Sequence, residues 1–424
     1  MNINTIRTDF PILQRQIHGK PLIYLDNAAT TQRPRQVLET LNHFYTTYNA
    51  NIHRSPHRLG QEATELYEQA HENVARFVGV EDEGEIIFVR NTTEAINLVA
   101  VSLLRQESGD LRLQPGDEVI VTIMEHHSNF VTWQALCEEH GIELRIVRPR
   151  EDGTLDLEDL SRLLNPRTRL VCCTHVSNVL GTVVPVTEIA RRAHDAGALL
   201  LVDGAQSVPH MPVRVEELGC DFLAFSGHKM LGPFGVGVLY GRRSLLEQMA
   251  PFLYGGDMIA EVTLERSTWN RLPWKYEAGT ANVAAAIALG GAVDLRTGRE
   301  LVGAVDYLEE IGMEAVQGHE RTLLSRLYEG LQALPGVRIY GPPANVARGA
   351  VVSFAAEGRD PFLMAQLLDD EGIAVRAGGH CAHPLTQHLN VPGTVRVSPY
   401  LYNTLEEVDR FLEVVEQVIQ RGDV

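Results

Sequence analysis

Two residues in the middle of the chain could do covalent chemistry together. Lys229 ends the run Ser226-Gly227-His228-Lys229, and Asp203 opens the run Asp203-Gly204-Ala205-Gln206. Each follows a short apolar stretch, Phe222 to Phe225 and Ala198 to Val202, which reads as a buried strand. Gly227 before the lysine and Gly232-Pro233-Phe234-Gly235-Val236-Gly237 after it point to a tight turn with close backbone approach, against the plainer reading of a solvated loop lysine. An amine and a carboxylate at the ends of two buried strands fit a pyridoxal phosphate site. The amine bonds to the cofactor aldehyde, and the carboxylate keeps the pyridine nitrogen protonated so that the ring draws electrons from a substrate carbanion.

Other groups could complete such a site. Asn91-Thr92-Thr93-Glu94 precedes a helical pattern. A helix N-terminus suits a phosphate, though a simple cap by Thr92 explains the same residues. Ser226 and His228 could donate to phosphate, or only form the turn after a strand. His126-His127 follows an apolar run; an imidazole there could stack on a ring, bind metal or sit in a polar loop. These histidines, and the pairs His53/His57 and His380/His383, lack the further ligand of a closed zinc site, so no metal is expected. Cys381 lies among Gly378, Gly379, His380 and Pro384, on a loop. Cys137, Cys172, Cys173 and Cys220 read as packing residues, Cys220 opening a strand.

The elements that must position these groups alternate. Strands are expected over Glu85 to Val89, Glu118 to Thr122, Glu143 to Val147 and Leu170 to Thr174, and helices over Thr93 to Leu104 and Asn129 to His140. This is the pattern of βαβ units around a mostly parallel sheet, whose ligands bind beyond the carboxyl ends of the strands. Thr92, His126, Asp203 and Lys229 all fall at such ends. Pro251 to Thr280 breaks the alternation with glycines, prolines and large aromatics. A helix is expected from about Asn282 and one long helical pattern over Val302 to Leu334. Strands follow over Val337 to Tyr340, Ala350 to Phe354, Ala374 to Arg376 and Thr394 to Val397. A last helix, Leu405 to Ile419, starts after an Asn403/Thr404 cap. The expected fold is α/β, with a large domain over 17–297, a smaller α+β domain over 298–424, and an N-terminal segment, 1–16, packing on the latter.

The 424 residues carry a formal net charge of −18. That balance argues against nucleic acid and anionic membrane surfaces as partners. There is no long uninterrupted apolar segment, and MNINTIRTDFPILQRQ lacks the apolar core of a signal peptide. Five cysteines, an odd number, do not make a disulfide framework. A cytoplasmic protein is the expectation.

Taken in order, the motifs resemble a known family. Asp203-Gly-Ala-Gln206 and Ser226-Gly-His-Lys229, preceded by Thr174-His175-Val176-Ser177-Asn178-Val179-Leu180-Gly181, resemble the fold type I pyridoxal phosphate enzymes of the class V aminotransferase group. More narrowly they look like the SufS-type (group II) cysteine desulfurases. The likeness extends through Tyr24-Leu25-Asp26-Asn27-Ala28-Ala29, Asn49-Ala50-Asn51-Ile52-His53-Arg54, Met124-Glu125-His126-His127, Gly255-Gly256-Asp257-Met258-Ile259, Glu277-Ala278-Gly279-Thr280 and Arg376-Ala377-Gly378-Gly379-His380-Cys381.

The resemblance implies roles by position. Lys229 would bond to the cofactor, Asp203 would pair with the pyridine nitrogen, Gln206 would contact the phenolic oxygen and His126 would stack on the ring. Thr93, Ser226 and His228 would bind phosphate. Thr280 would reach the site of a partner subunit in a homodimer. Asn178 and Arg376 would hold the substrate carboxylate, with Arg396 a second candidate; a planar guanidinium grips a carboxylate through two parallel hydrogen bonds. Cys381 would accept sulfur from L-cysteine as a persulfide and pass it to a SufE- or SufU-like acceptor for iron–sulfur cluster assembly. His127 and His380 are left without a firm role. Two positions depart from the family pattern: Gly379, where Gly-His-His is common, and Pro399 near Arg396. A selenocysteine lyase or another class V lyase is the alternative, and a non-catalytic scaffold of the same fold a remote one.

Overall fold

The computed structural model describes residues 2–106, 109, 111–343 and 345–420. At its centre is a seven-stranded sheet: β1 (Ile86–Val89), β2 (Glu118–Thr122), β3 (Glu143–Val147), β4 (Thr168–Thr174), β5 (Leu199–Asp203), β6 (Phe222–Ser226) and β7 (Gly237–Gly241), in the spatial order β1-β7-β6-β5-β4-β2-β3. Every pairing along β6-β5-β4-β2-β3 is parallel, and β7 alone runs antiparallel, between β6 and β1. Strands β2, β6 and β7 are buried at every position. That follows from helices covering both faces, so the strands read as continuous apolar runs rather than alternating ones.

Helix α1 (Arg58–Phe77) packs against α4 (Val283–Gly290), whose eight residues are all buried. Helix α2 (Thr92–Leu104) follows β1, and α3 (His127–His140) follows β2. The cap of α2 is Asn91, not Thr92; its side-chain oxygen takes the Glu94 N–H at 3.0 Å. Helix α3 begins two residues earlier than its apolar pattern, with His126 as its cap. Cys220 is buried as expected, but in the loop ahead of β6 rather than in the strand. The aromatic break after Pro251 contains a hairpin, β8 (Ile259–Val262) and β9 (Ser267–Trp269).

A second sheet has four antiparallel strands, β10 (Val337–Tyr340), β11 (Val352–Ala356), β12 (Arg376–Gly378) and β13 (Thr394–Val397), in the order β10-β11-β13-β12. The helical pattern expected over Val302 to Leu334 is two helices, α5 (Ala304–Ile311) and α6 (Met313–Ala333). Gly312 sits between them at φ 86, a conformation open to glycine but closed to a continuing helix. Leu327 and Leu331 of α6 join Phe354 and Phe411 in the core beneath this sheet, with α7 (Pro361–Asp370) and α9 (Leu405–Gln420). Thr404 and Glu407 cap α9 reciprocally. The expected strand over Ala374 to Arg376 is divided. Ile373–Ala374 pairs in parallel with Ile23–Tyr24, and Arg376–Gly378 pairs with β13. Near the N-terminus, Arg7 is ion-paired to Glu407 at 2.8 Å and Phe10 packs on Tyr307 and Tyr402. Among the described residues, no helix is long and apolar enough to cross a membrane.

Candidate active site

The carboxyl ends of β1, β2, β5 and β6 open on a cavity of about 200 Å³ that β12 and β13 close with Arg376 and Arg396. Lys229 lies on the one-turn 3₁₀ segment after β6 and is half-buried in the cavity wall. A Cβ on Gly232 would stand 2.9 Å from a Leu289 methyl and 3.0 Å from the Gly227 carbonyl, so the turn holds together only with glycine there. Burial lowers the Lys229 amine to about 8, against the pull of Asp203. Burial raises the Asp203 carboxyl, and Lys229 opposes that rise. An amine near neutrality beside a buried carboxylate is what a proton-transferring lysine requires.

One end of the cavity is built of hydroxyls around the start of α2. The Thr92 N–H donates to Ser226 Oγ at 2.9 Å, and the two hydroxyls share a 2.7 Å hydrogen bond. Thr93 Oγ1 is 2.6 Å from Ser128 Oγ, itself 2.9 Å from His126 Nδ1. Thr92, Thr93, Ser128, Ser226 and His228 all line the cavity. Hydroxyls ringing the dipole-positive end of a helix make a phosphate cradle. Burial lowers His126 to about 3 and His228 to about 4, so both imidazoles are neutral at pH 7.

A second polar group lies at β12 and β13. Arg376 and Arg396 are direct partners across these strands, so both guanidiniums share one face. Arg396 is almost fully buried. It donates to Asp26 Oδ1 at 3.1 Å and to the Asn178 carbonyl at 3.2 Å, and its Nε has no partner. Asn178 Nδ2 donates to the His380 carbonyl at 2.8 Å. Arg376 Nη2 is 3.5 Å from Cys381 Sγ. The loop from β12 to α8 (His383–His388) carries this half-buried thiol, with both His380 (φ 51) and Cys381 (φ 58) in the left-handed region. Pro399 lies beyond the end of β13 and leaves the Arg396 register with Ser353 and Arg376 intact.

Two expected residues lie elsewhere. Gln206 is buried, its amide donating to the Ala28 carbonyl at 2.7 Å, but it lines a neighbouring cavity of about 440 Å³ and its Oε1 has no partner. Thr280 is exposed and lines a third cavity beside Glu277 and Phe88. Asp26, Ser128 and Glu125 had no assigned role. Glu125 is wholly buried behind the site. It receives the Thr174 N–H at 2.9 Å and Asn129 Nδ2 at 2.6 Å, and burial raises its carboxyl to about 8. Its signal in the sequence was a charge enclosed between Met124 and the two histidines.

The cavity suits pyridoxal phosphate: a hydroxyl-lined helix start for the phosphate, a low-pKa lysine for the aldehyde, a buried carboxylate for the ring nitrogen, and, on the cavity-lining Arg396, an unpartnered buried guanidinium N–H for an anionic substrate group. Fold and site together are those of the fold type I pyridoxal phosphate enzymes. The chain belongs to the aminotransferase class-V family, whose model matches residues 23–411. It is 48% identical, over 99% of its length and 97% of the relative's, to a probable cysteine desulfurase of Halobacterium salinarum. Among solved structures it resembles the apo cysteine desulfurase of Thermococcus onnurineus (TM-score 0.89, 39% identity, 98% of each chain). It also resembles the cysteine desulfurase CsdA of Escherichia coli (TM-score 0.87, 37% identity, 99% of each chain).

Proposed function

We propose that this chain is a pyridoxal phosphate-dependent cysteine desulfurase that converts L-cysteine to L-alanine and keeps the sulfur as a persulfide on Cys381. The observation that carries this reading is the Cys381 thiol standing 3.5 Å from Arg376, which lines the same cavity as Lys229. When bound, pyridoxal phosphate supplies an aldehyde for the substrate amine and a ring that accepts the electrons of a Cα carbanion. Lys229 would hold the cofactor aldehyde, and its amine would carry the substrate Cα proton. Asp203 keeps a negative charge for the ring nitrogen. His126, neutral and fixed by Ser128, offers a flat face for the ring. Arg396 offers its unpartnered Nε–H to the substrate carboxylate, with Asn178 alongside.

Arg376 Nη2, 3.5 Å from Sγ, orients the Cys381 sulfur beside the cavity. The Cys381 thiolate attacks the substrate sulfur: an S–S bond forms, the substrate C–S bond breaks with its electron pair left on Cβ, and a proton delivered there completes alanine. The sulfur leaves with Cys381, so L-cysteine and one thiol give alanine and one persulfide.

The finer reading is of the SufS type. Cys381, half-buried on its loop beside exposed His383, would then hand sulfur to a SufE- or SufU-like protein for iron–sulfur cluster assembly in the cytoplasm. Thr280 and Gln206, which lie outside the main cavity, would act respectively in the partner's site of a homodimer and against the cofactor's phenolic oxygen. The test is Cys381→Ala. With L-cysteine the variant should keep its cofactor absorbance and its spectral response to substrate, yet form no protein persulfide and little alanine. Alanine release at the parental rate would overturn the assignment of Cys381.

A further inference from the structure

His127 does not line the cavity, yet it grips the loop that carries Cys381. Two consecutive non-glycine residues in the left-handed region, His380 and Cys381, persist only where their surroundings over-determine them. On the β13 side the loop is held by His380 Nε2, 2.8 Å from Thr394 Oγ1, and by Asn178 on the His380 carbonyl. On the other side two hydrogen bonds converge on one residue. The His127 backbone N–H donates to the Cys381 carbonyl at 2.8 Å, and the His383 backbone N–H donates to the His127 ring at Nε2, 3.1 Å away, the bond that the His127 side chain supplies. The two rings then meet edge to face, 4.7 Å apart.

The glycine at 379 belongs to the same arrangement. A Cβ there would stand 2.4 Å from Cδ2 and 3.0 Å from Nε2 of His383. The His383 ring therefore occupies the space that a side chain at 379 would need. The loop lacks an imidazole at 379 and receives one from 383, where it can pack on His127.

Resting on the reading of Cys381 as the sulfur acceptor, we infer that His127 and His383 form a latch that fixes the Cys381 loop, with His127 a positioning residue for the thiol. To accept from the His383 N–H, His127 Nε2 must carry no proton, so the working form is the neutral imidazole with its proton on Nδ1. Burial and the neighbouring His383 both favour that neutral form.

Holoenzyme variants test this through the loop itself. His127→Ala should speed alkylation of Cys381 by iodoacetamide and backbone hydrogen exchange over 378–384 by about fivefold or more. It should slow single-turnover persulfide formation about tenfold while leaving KM for cysteine within about twofold. His127→Gln, whose amide oxygen can still accept from the His383 N–H, should restore all of these to within about threefold of the parent. Gly379→Ala and His383→Ala break the same contact, so the double variant should be no worse than the more damaged single. Parental alkylation, exchange and persulfide rates in His127→Ala would overturn the latch, as would additive effects of Gly379→Ala and His383→Ala. Because alkylation and exchange need no turnover, an opened loop in His127→Ala together with full activity in Cys381→Ala would refute the functional reading and spare the latch.

Discussion

Arg396→Ala should lose stability and substrate affinity, and the stability loss should depend on pH in a defined direction. Arg396 is 1% exposed and its partner Asp26 is 22% exposed. Removing one member of a buried ion pair costs about 3–5 kcal/mol, because the other charge is left unpaired. Water reaches part of Asp26, so about 3 kcal/mol, the lower end, applies. Protonation sets a ceiling: neutralising a carboxyl of ordinary pKa about 3.9 at pH 7 costs about 4 kcal/mol. Burial already raises the Asp26 carboxyl, and Arg396 is the first of the groups lowering it. Without Arg396 its folded pKa rises further above the unfolded value. The folded state then favours the neutral carboxyl, so the variant keeps most stability in acid and loses it as pH climbs through the folded pKa. Its deficit against the parent should widen from about pH 4 towards pH 7. A charge-assisted hydrogen bond to the substrate carboxylate contributes about 1.5–3 kcal/mol, a fall of about tenfold to a hundredfold in kcat/KM. Arg376→Ala, by contrast, should spare cysteine binding and slow the step at Cys381. Urea unfolding across this pH range, steady-state kinetics and single-turnover persulfide formation read the three quantities. A pH-independent loss below about 1 kcal/mol would refute the pairing argument. A KM that rises in Arg376→Ala but not in Arg396→Ala would refute the division of labour.

Glu125→Gln should be nearly neutral below about pH 4.5, within about 1 kcal/mol, and should gain on the parent by up to about 3 kcal/mol at pH 7, since burial moves this carboxyl from 4.5 to about 8 and the amide carries no such titration. The carboxyl's contribution is full below pH 4.5 and lost as pH rises to about 8, so the variant should show a flatter stability profile over that window; an unchanged slope would mean another group titrates there. Gly290→Ala should destabilise by about 1–3 kcal/mol, because its Cβ would stand 2.4 Å from the Ala70 carbonyl oxygen on α1. Gly318→Ala in α6, with nothing within 4 Å of the added carbon, should instead stabilise by up to about 1 kcal/mol, and unfolding midpoints that rank the two the other way would refute the packing argument.

What could be read from the residues was whatever depends on neighbours in the chain. Strands β2, β3, β10 and β13 lie where their apolar runs place them; β2 and β13, buried at every position, write that burial into consecutive residues. Lys229, Asp203, Thr93, Ser226, His228 and His126 reach one cavity because each follows a strand end, and the parallel order of β1, β2, β5 and β6 turns all those ends to one side. What could not be read depends on register between distant segments. Arg376 and Arg396 look interchangeable along the chain. The pairing of β12 with β13 sets them side by side, but only Arg396 meets Asp26, and only Arg376 meets Cys381. A two-residue strand at Ile23–Tyr24, too short to leave a periodic pattern, lies just before Asp26 and pairs with Ile373–Ala374, just before Arg376. Gly379 shows the same limit more sharply. Beside Cys381 in sequence it reads as a missing imidazole. In space that vacancy is filled by His383, from the far side of the cysteine, so a departure from the family pattern at one position is answered at another.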